Sequence, residues 1–138
     1  MKEYPYRKMN EMCEILEVLQ MPSKLKNTRT ILTLLAVARV KEKSKWSQVE
    51  ESYARTHDMI VFMNEYYPNK GGTDLKRGGY SENSRETIRD DSVSPLCSMA
   101  VMEHNGAKSQ SEKSSYRLTK EFATLLSCLL YTSDAADD

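Results

Sequence analysis

Cysteine, glycine, phenylalanine and net charge are all scarce in this chain, and each shortage narrows what it can be. Three cysteines, Cys13, Cys97 and Cys128, occur among 138 residues. An odd number without metal-ligand spacing argues against a disulfide framework or a zinc site and leaves buried or free thiols. No apolar run approaches the roughly 20 residues that span a bilayer, so no membrane partner is expected. The first six residues lack the apolar stretch and small-residue cleavage site of a secretory signal, which points to a cytoplasmic protein. Charge balances at 20 Lys and Arg against 20 Asp and Glu, so the basic signature common in nucleic-acid-binding domains is missing.

What is present describes one ordinary globular domain. The composition is 39% hydrophobic and 29% charged, neither disordered nor membrane-embedded. A chain of this length buries roughly two thirds of its unfolded surface in a single core and has no room for a two-domain enzyme.

Periodicity divides the chain into helices. Met9, Met12, Cys13, Leu16 and Leu19 fall at helical spacing, predicting an amphipathic helix from Lys8 to Leu19 that ends before Pro22. Asn27 or Thr28 caps a second helix, whose residues Ile31 to Ala38 are apolar almost all round and therefore central. Trp46 to Glu50 begins a short helical turn, with Ser47 as its cap and Trp46 closing one edge of the core. Thr56 then caps a helix through Met59, Ile60, Met63 and Tyr67 that Pro68 ends. The methionine stripe is read as core. Gly71, Gly72, Gly78 and Gly79 make the next stretch a loop.

A further helix starts at Asn83, with Glu86 three residues later as in a capping box, and runs at least to Ser94. Pro95 must kink or divide it. Asn105-Gly106 marks a turn between short strands at Val101-Met102 and Ser115 to Leu118, a two-stranded wing with a polar, lysine-containing tip. Thr119 caps a last helix carrying Phe122, Leu125 and Leu126. This order is the one expected of a mainly α, winged helix-turn-helix domain, although periodicity alone fits a generic helical bundle equally well.

The tract Tyr80-Ser-Glu-Asn-Ser-Arg-Glu-Thr-Ile-Arg89 resembles one in the N-terminal domain of BsuBI/PstI-type type II restriction endonucleases, which reads close to Tyr-Ala-Pro-Asn-Thr-Arg-Glu-Thr-Ile-Arg. Asn83, Arg85, Glu86, Thr87, Ile88 and Arg89 match in place. Asn27 to Ala38, Trp46-Ser47 and Thr56 to Tyr67 upstream, and Lys113 to Leu118 with Glu121 to Leu126 downstream, are similar in the same order. Asp90 and Asp91 depart from a basic or polar pattern, Glu82 replaces a proline, and Pro95 intrudes on the helix.

The resemblance implies a partner, double-stranded DNA. Arg85 and Arg89, four apart on one helix face, are the expected base-reading residues, because arginine hydrogen-bonds bidentately to guanine in the major groove. Asn83 and Thr87 are expected to touch phosphate or another base edge, at a helix start whose amides favour anions. Lys108 and Lys113 flank the wing and suit phosphate without sequence preference. Lys70, Lys76 and Arg77 in the glycine-rich loop are read either way, as phosphate contacts or as solvated surface.

The resemblance also sets what the chain is not expected to do. A Mg²⁺-dependent nuclease needs clustered carboxylates and usually a nearby lysine. The closest string, Asp74-Leu-Lys76, sits in a loop without a supporting acid, so no catalytic residue, no metal ligand and no cofactor are expected here. His57 and His104 are read as surface or cap histidines.

Residues 128–138 resemble the in-frame translation of a sequencing adapter, so the domain is expected to cover 1–127 and the rest to be an artefactual tail. Without Asp134, Asp137 and Asp138 the balance becomes 20 basic against 17 acidic side chains. The expectation is a DNA-binding fragment of a site-specific restriction enzyme, inactive alone. Mg²⁺ is expected only for a missing nuclease part, and the resemblance allows a homodimer of the full-length enzyme. A free-standing winged-helix transcriptional regulator or a helical protein-interaction domain is the alternative.

Overall fold

The computed structural model describes residues 3–107 and 113–130. Helix α1 (Arg7–Val18) packs beside α2 (Thr28–Ala38), which also contacts α3 (Thr56–Tyr66). The chain then forms α4 (Arg85–Ile88), a π-turn (Arg89–Val93) and α5 (Ser94–Ser98) in one helical run, two strands, and α6 (Lys120–Leu129). The fold is mainly helical with a two-stranded antiparallel sheet, the winged-helix class expected from the element order. Among the described residues no helix is long and apolar enough to cross a membrane.

The all-round apolar character of α2 places it at the centre: every residue from Thr30 to Ala38 is buried. Its start is the expected cap, with the Asn27 side chain accepting from the Thr30 amide at 2.9 Å, an arrangement worth roughly 1 kcal/mol. Helix α1 lacks a local cap. Glu42, far along the chain, supplies one by accepting from the Arg7 and Lys8 amides at 2.7 and 2.9 Å. Lys8 is fully buried, its ammonium 3.8 Å from the Glu11 carboxylate and 5.5 Å from the centroid of the Trp46 ring.

Several local expectations are corrected. Trp46 is buried as expected, but its turn is a 3₁₀ turn (Trp46–Gln48) with Ser47 inside it, and Gln48 accepts from the Lys45 amide that precedes it. Thr56 is the first residue of α3 instead of its cap. Arg55 stands at the N-cap, and Asp58, three residues on, accepts from the Arg55 amide at 3.0 Å. Partial burial pushes the Asp58 carboxyl up, but the hydrogen bonds from Arg55 outweigh it and hold the group below the ordinary aspartate value. Pro68 follows α3 as expected, and Tyr67 donates from its buried hydroxyl to the Val40 carbonyl at 2.8 Å.

Strands β1 (Met102–His104) and β2 (Tyr116–Leu118) pair Met102 with Leu118 and His104 with Tyr116. Three-residue strands alone are marginal. The hairpin is held on its other edge by Ala54, which exchanges backbone hydrogen bonds with Tyr116 at 2.7 and 2.8 Å. The first strand begins one residue later than expected because Val101 is taken up in closing α5, its amide reaching the Leu96 carbonyl. Asn105-Gly106 follows β1 directly, with Gly106 at a φ of 86°. The Asn105 amide group donates to the Lys113 carbonyl and the Ser115 hydroxyl at the base of the wing. Thr119 caps α6 as expected, accepting from the Phe122 amide at 3.3 Å.

Candidate nucleic-acid interface

The helical run from 82 to 98 is built on a 3.6-residue pattern with a single break. Ile88, Ser92, Val93 and Leu96 are buried, and Glu82, Asn83, Arg85, Glu86 and Thr87 are exposed. It opens with a 3₁₀ turn (Glu82–Ser84) that contains Asn83, with Ser81 in extended backbone before it. Asn83 therefore does not cap the helix, a correction to the capping box expected with Glu86. Pro95 has no amide hydrogen to give an α-helical ladder, and the π-turn just upstream widens the helix where that bond is missing. The helix is divided without being interrupted.

A buried polar node fixes this break to α2. The Ser92 hydroxyl accepts from Arg29 Nε at 2.9 Å and lies 2.9 Å from the Thr30 hydroxyl. Ser92 and Thr30 are both fully buried. At the other end of the run, His57 on α3 sits 2.7 Å from one oxygen of Glu82, whose other oxygen is 3.3 Å from Arg85 Nε. Arg89 hydrogen-bonds Asp90 at 3.0 Å and stands 4.0 Å from Glu86. Arg85 keeps 60% of its side chain exposed and Arg89 only 26%.

Order and topology here are a central helix, a bridge strand at Ala54, α3, the run 82–98 and a hairpin. A family model for the BsuBI/PstI restriction endonuclease HTH domain matches residues 6–137. The chain belongs to this family. The HTH domain is also similar to a solved structure of SdaI restriction endonuclease, with a TM-score of 0.75 and 16% sequence identity over 98% of this chain. It spans 43% of that protein's length. No curated protein matches the chain.

Within the HTH domain, α3 and the run 82–98 are helical segments that meet through α4 and the His57–Glu82 contact. Asn83, Arg85 and Thr87 are all exposed on the opening turns of the run, Asn83 and Thr87 on one side and Arg85 on another, and Arg89 lies at the start of the π-turn, half withdrawn. Lys113 is exposed at the returning side of the wing. Lys108 lies outside the described residues, as do residues 131–138 of the adapter-like tail. Among the described residues, no three His, Cys, Asp or Glu side chains converge as a metal site. Asp74 instead turns one carboxylate oxygen onto the Lys76 amide at 3.0 Å.

Two parts of the site were not read from the sequence. Glu82 joins α3 to the helix opening through His57, a contact across 25 positions that no local pattern signals. Ser92 was unremarked because a serine in a helix is ordinarily solvent-facing, although its four-residue spacing from Ile88 and Leu96 places it on the buried face.

Proposed function

We propose that this HTH domain binds double-stranded DNA as the recognition part of a type II restriction endonuclease, with the run 82–98 as the helix that enters the major groove. The observation that carries the reading is that Asn83, Arg85 and Thr87 are all exposed on the opening turns of the helical run that precedes the hairpin, the place we assign to the recognition helix. Arg85 suits a guanine edge, and Asn83 and Thr87 suit an adenine edge or phosphate. Arg89 follows one turn later, and Lys113 with Lys108 on the wing would meet phosphate.

The acidic partners of both arginines do not stand in the way. Exposed ion pairs are worth roughly 0–1 kcal/mol, so exchanging Glu82 or Asp90 for a base edge or phosphate costs little. Asp90 and Asp91 remain beside the binding face and keep the affinity low. The Mg²⁺-dependent cleavage of the parent enzyme is proposed for chain other than this domain.

The test is a titration of each variant on a preferred and a scrambled duplex at fixed salt. Arg85→Ala and Arg89→Ala should each weaken preferred binding by about 1–3 kcal/mol, with little effect on the scrambled duplex. Unchanged preference in both variants, at unchanged melting temperature, would remove the recognition-helix assignment.

A further inference from the structure

The connection between α3 and the run 82–98 is much longer than the three or four residues of a common helix-turn-helix, and it is not slack. At its start Gly71 sits against Met9, and a Cβ there would come within 2.7 Å of the Met9 side chain. At its end the Asn64 side chain forms two hydrogen bonds with Tyr80, donating to its carbonyl at 2.8 Å and accepting from its amide at 2.9 Å. A Cβ on Gly79 would collide with that Asn64 amide, so glycine is required for the clamp to close. Between these anchors Asp74 and Arg77 form a tight turn, the Arg77 amide reaching the Asp74 carbonyl at 3.1 Å.

Lys76 and Arg77 stand at this turn, exposed. Unlike Arg85 and Arg89, neither forms an ion pair among the described residues. Arg77 lies six positions before Asn83, a reach of at most about 22 Å, while the major groove is about 12 Å wide. A helix opening placed in the groove therefore leaves the bordering phosphates within the chain's reach of these two cations.

We infer that the Asp74–Arg77 turn is a phosphate clamp, in which Lys76 and Arg77 grip the DNA backbone next to the groove and supply affinity without sequence preference. The inference rests on the DNA-binding reading above. It assigns most of the salt-dependent affinity to this loop and leaves discrimination to the helix.

The experiment measures binding of the whole chain to a random-sequence duplex across a range of salt. Lys76→Ala/Arg77→Ala should lower affinity and reduce the slope of log affinity against log salt by about 1.8, at roughly 0.9 for each phosphate no longer neutralised. A Lys43→Ala/Lys45→Ala control, which removes equal charge beside the start of α1, should leave the slope near its original value. Should the alanine pair lower the melting temperature, Lys76→Gln/Arg77→Gln gives the same comparison. A wild-type chain that binds no duplex at low salt overturns the DNA-binding reading and the clamp together. A wild type that binds, with a slope unchanged by the loop variants or equally reduced by the control, overturns the clamp alone.

Discussion

At the residue scale, three helix ends carry a penalty that glycine would relieve. Gln20, Arg39 and Ala100 have φ of 57°, 54° and 61°, and each closes its helix with paired backbone hydrogen bonds, as in Val40 to Leu35 and Arg39 to Ala36. A left-handed non-glycine residue costs roughly 1–2 kcal/mol. Arg39 offsets it by donating to the Val37, Ser52 and Tyr53 carbonyls at 2.6–2.9 Å. Ala100 has no side chain with which to do so. Ala100→Gly should therefore stabilise the fold by about 1 kcal/mol, read as a raised denaturation midpoint, and a lowered midpoint would contradict the account. The ends of α1 and α2 were legible within a residue or so, but the left-handed closures were not, because the usual glycine signal is absent at all three. The buried Cys13 thiol and the half-buried Cys97 thiol are both pushed above the usual cysteine range, first by burial, which agrees with their reading as buried or free thiols.

At the element scale, the central α2, the proline-ended α3 and the Thr119-capped α6 were legible, because apolar periodicity and capping residues are local signals. The tract from Asn83 to Arg89 was legible as a pattern of residue types, and Pro95 as a break. What the break becomes depends on a contact some sixty positions away, the hydroxyl of Ser92 between Arg29 and Thr30. Ser92→Ala would leave a buried hydroxyl and a guanidinium hydrogen without this partner, at a cost of about 1–3 kcal/mol. Urea unfolding should register the loss, and a Thr30→Val/Ser92→Ala double variant should recover part of it by removing both hydroxyls. An unaltered Ser92→Ala midpoint would mean that water replaces the node at no cost.

At the scale of the whole molecule, the adapter-like string and the family match overlap, since the first begins at Cys128 and the second extends to residue 137. Helix α6 continues through Leu129, and Leu130 is only 5% exposed. Deleting residues 131–138 should leave the melting temperature unchanged. Deleting 128–138 should lower it, because burying a leucine side chain contributes roughly 1.5–3 kcal/mol. Equal stability of the two truncations would show that Leu130 adds nothing to the core, and a large loss from the shorter deletion would make the tail part of the domain. The π-turn carries a consequence of another kind. An α-helix advances about 100° per residue, so a turn that holds one residue more than its neighbours is a phase shift between the two ends of the run. Its C-terminal end is keyed to the hairpin and its N-terminal end bears Asn83 and Arg85. A one-residue deletion within Arg89–Val93 would rotate one end against the other by most of a quarter-turn or more, so the side of the helix offered outward is set by the length of this short segment as much as by the identities of the residues on it.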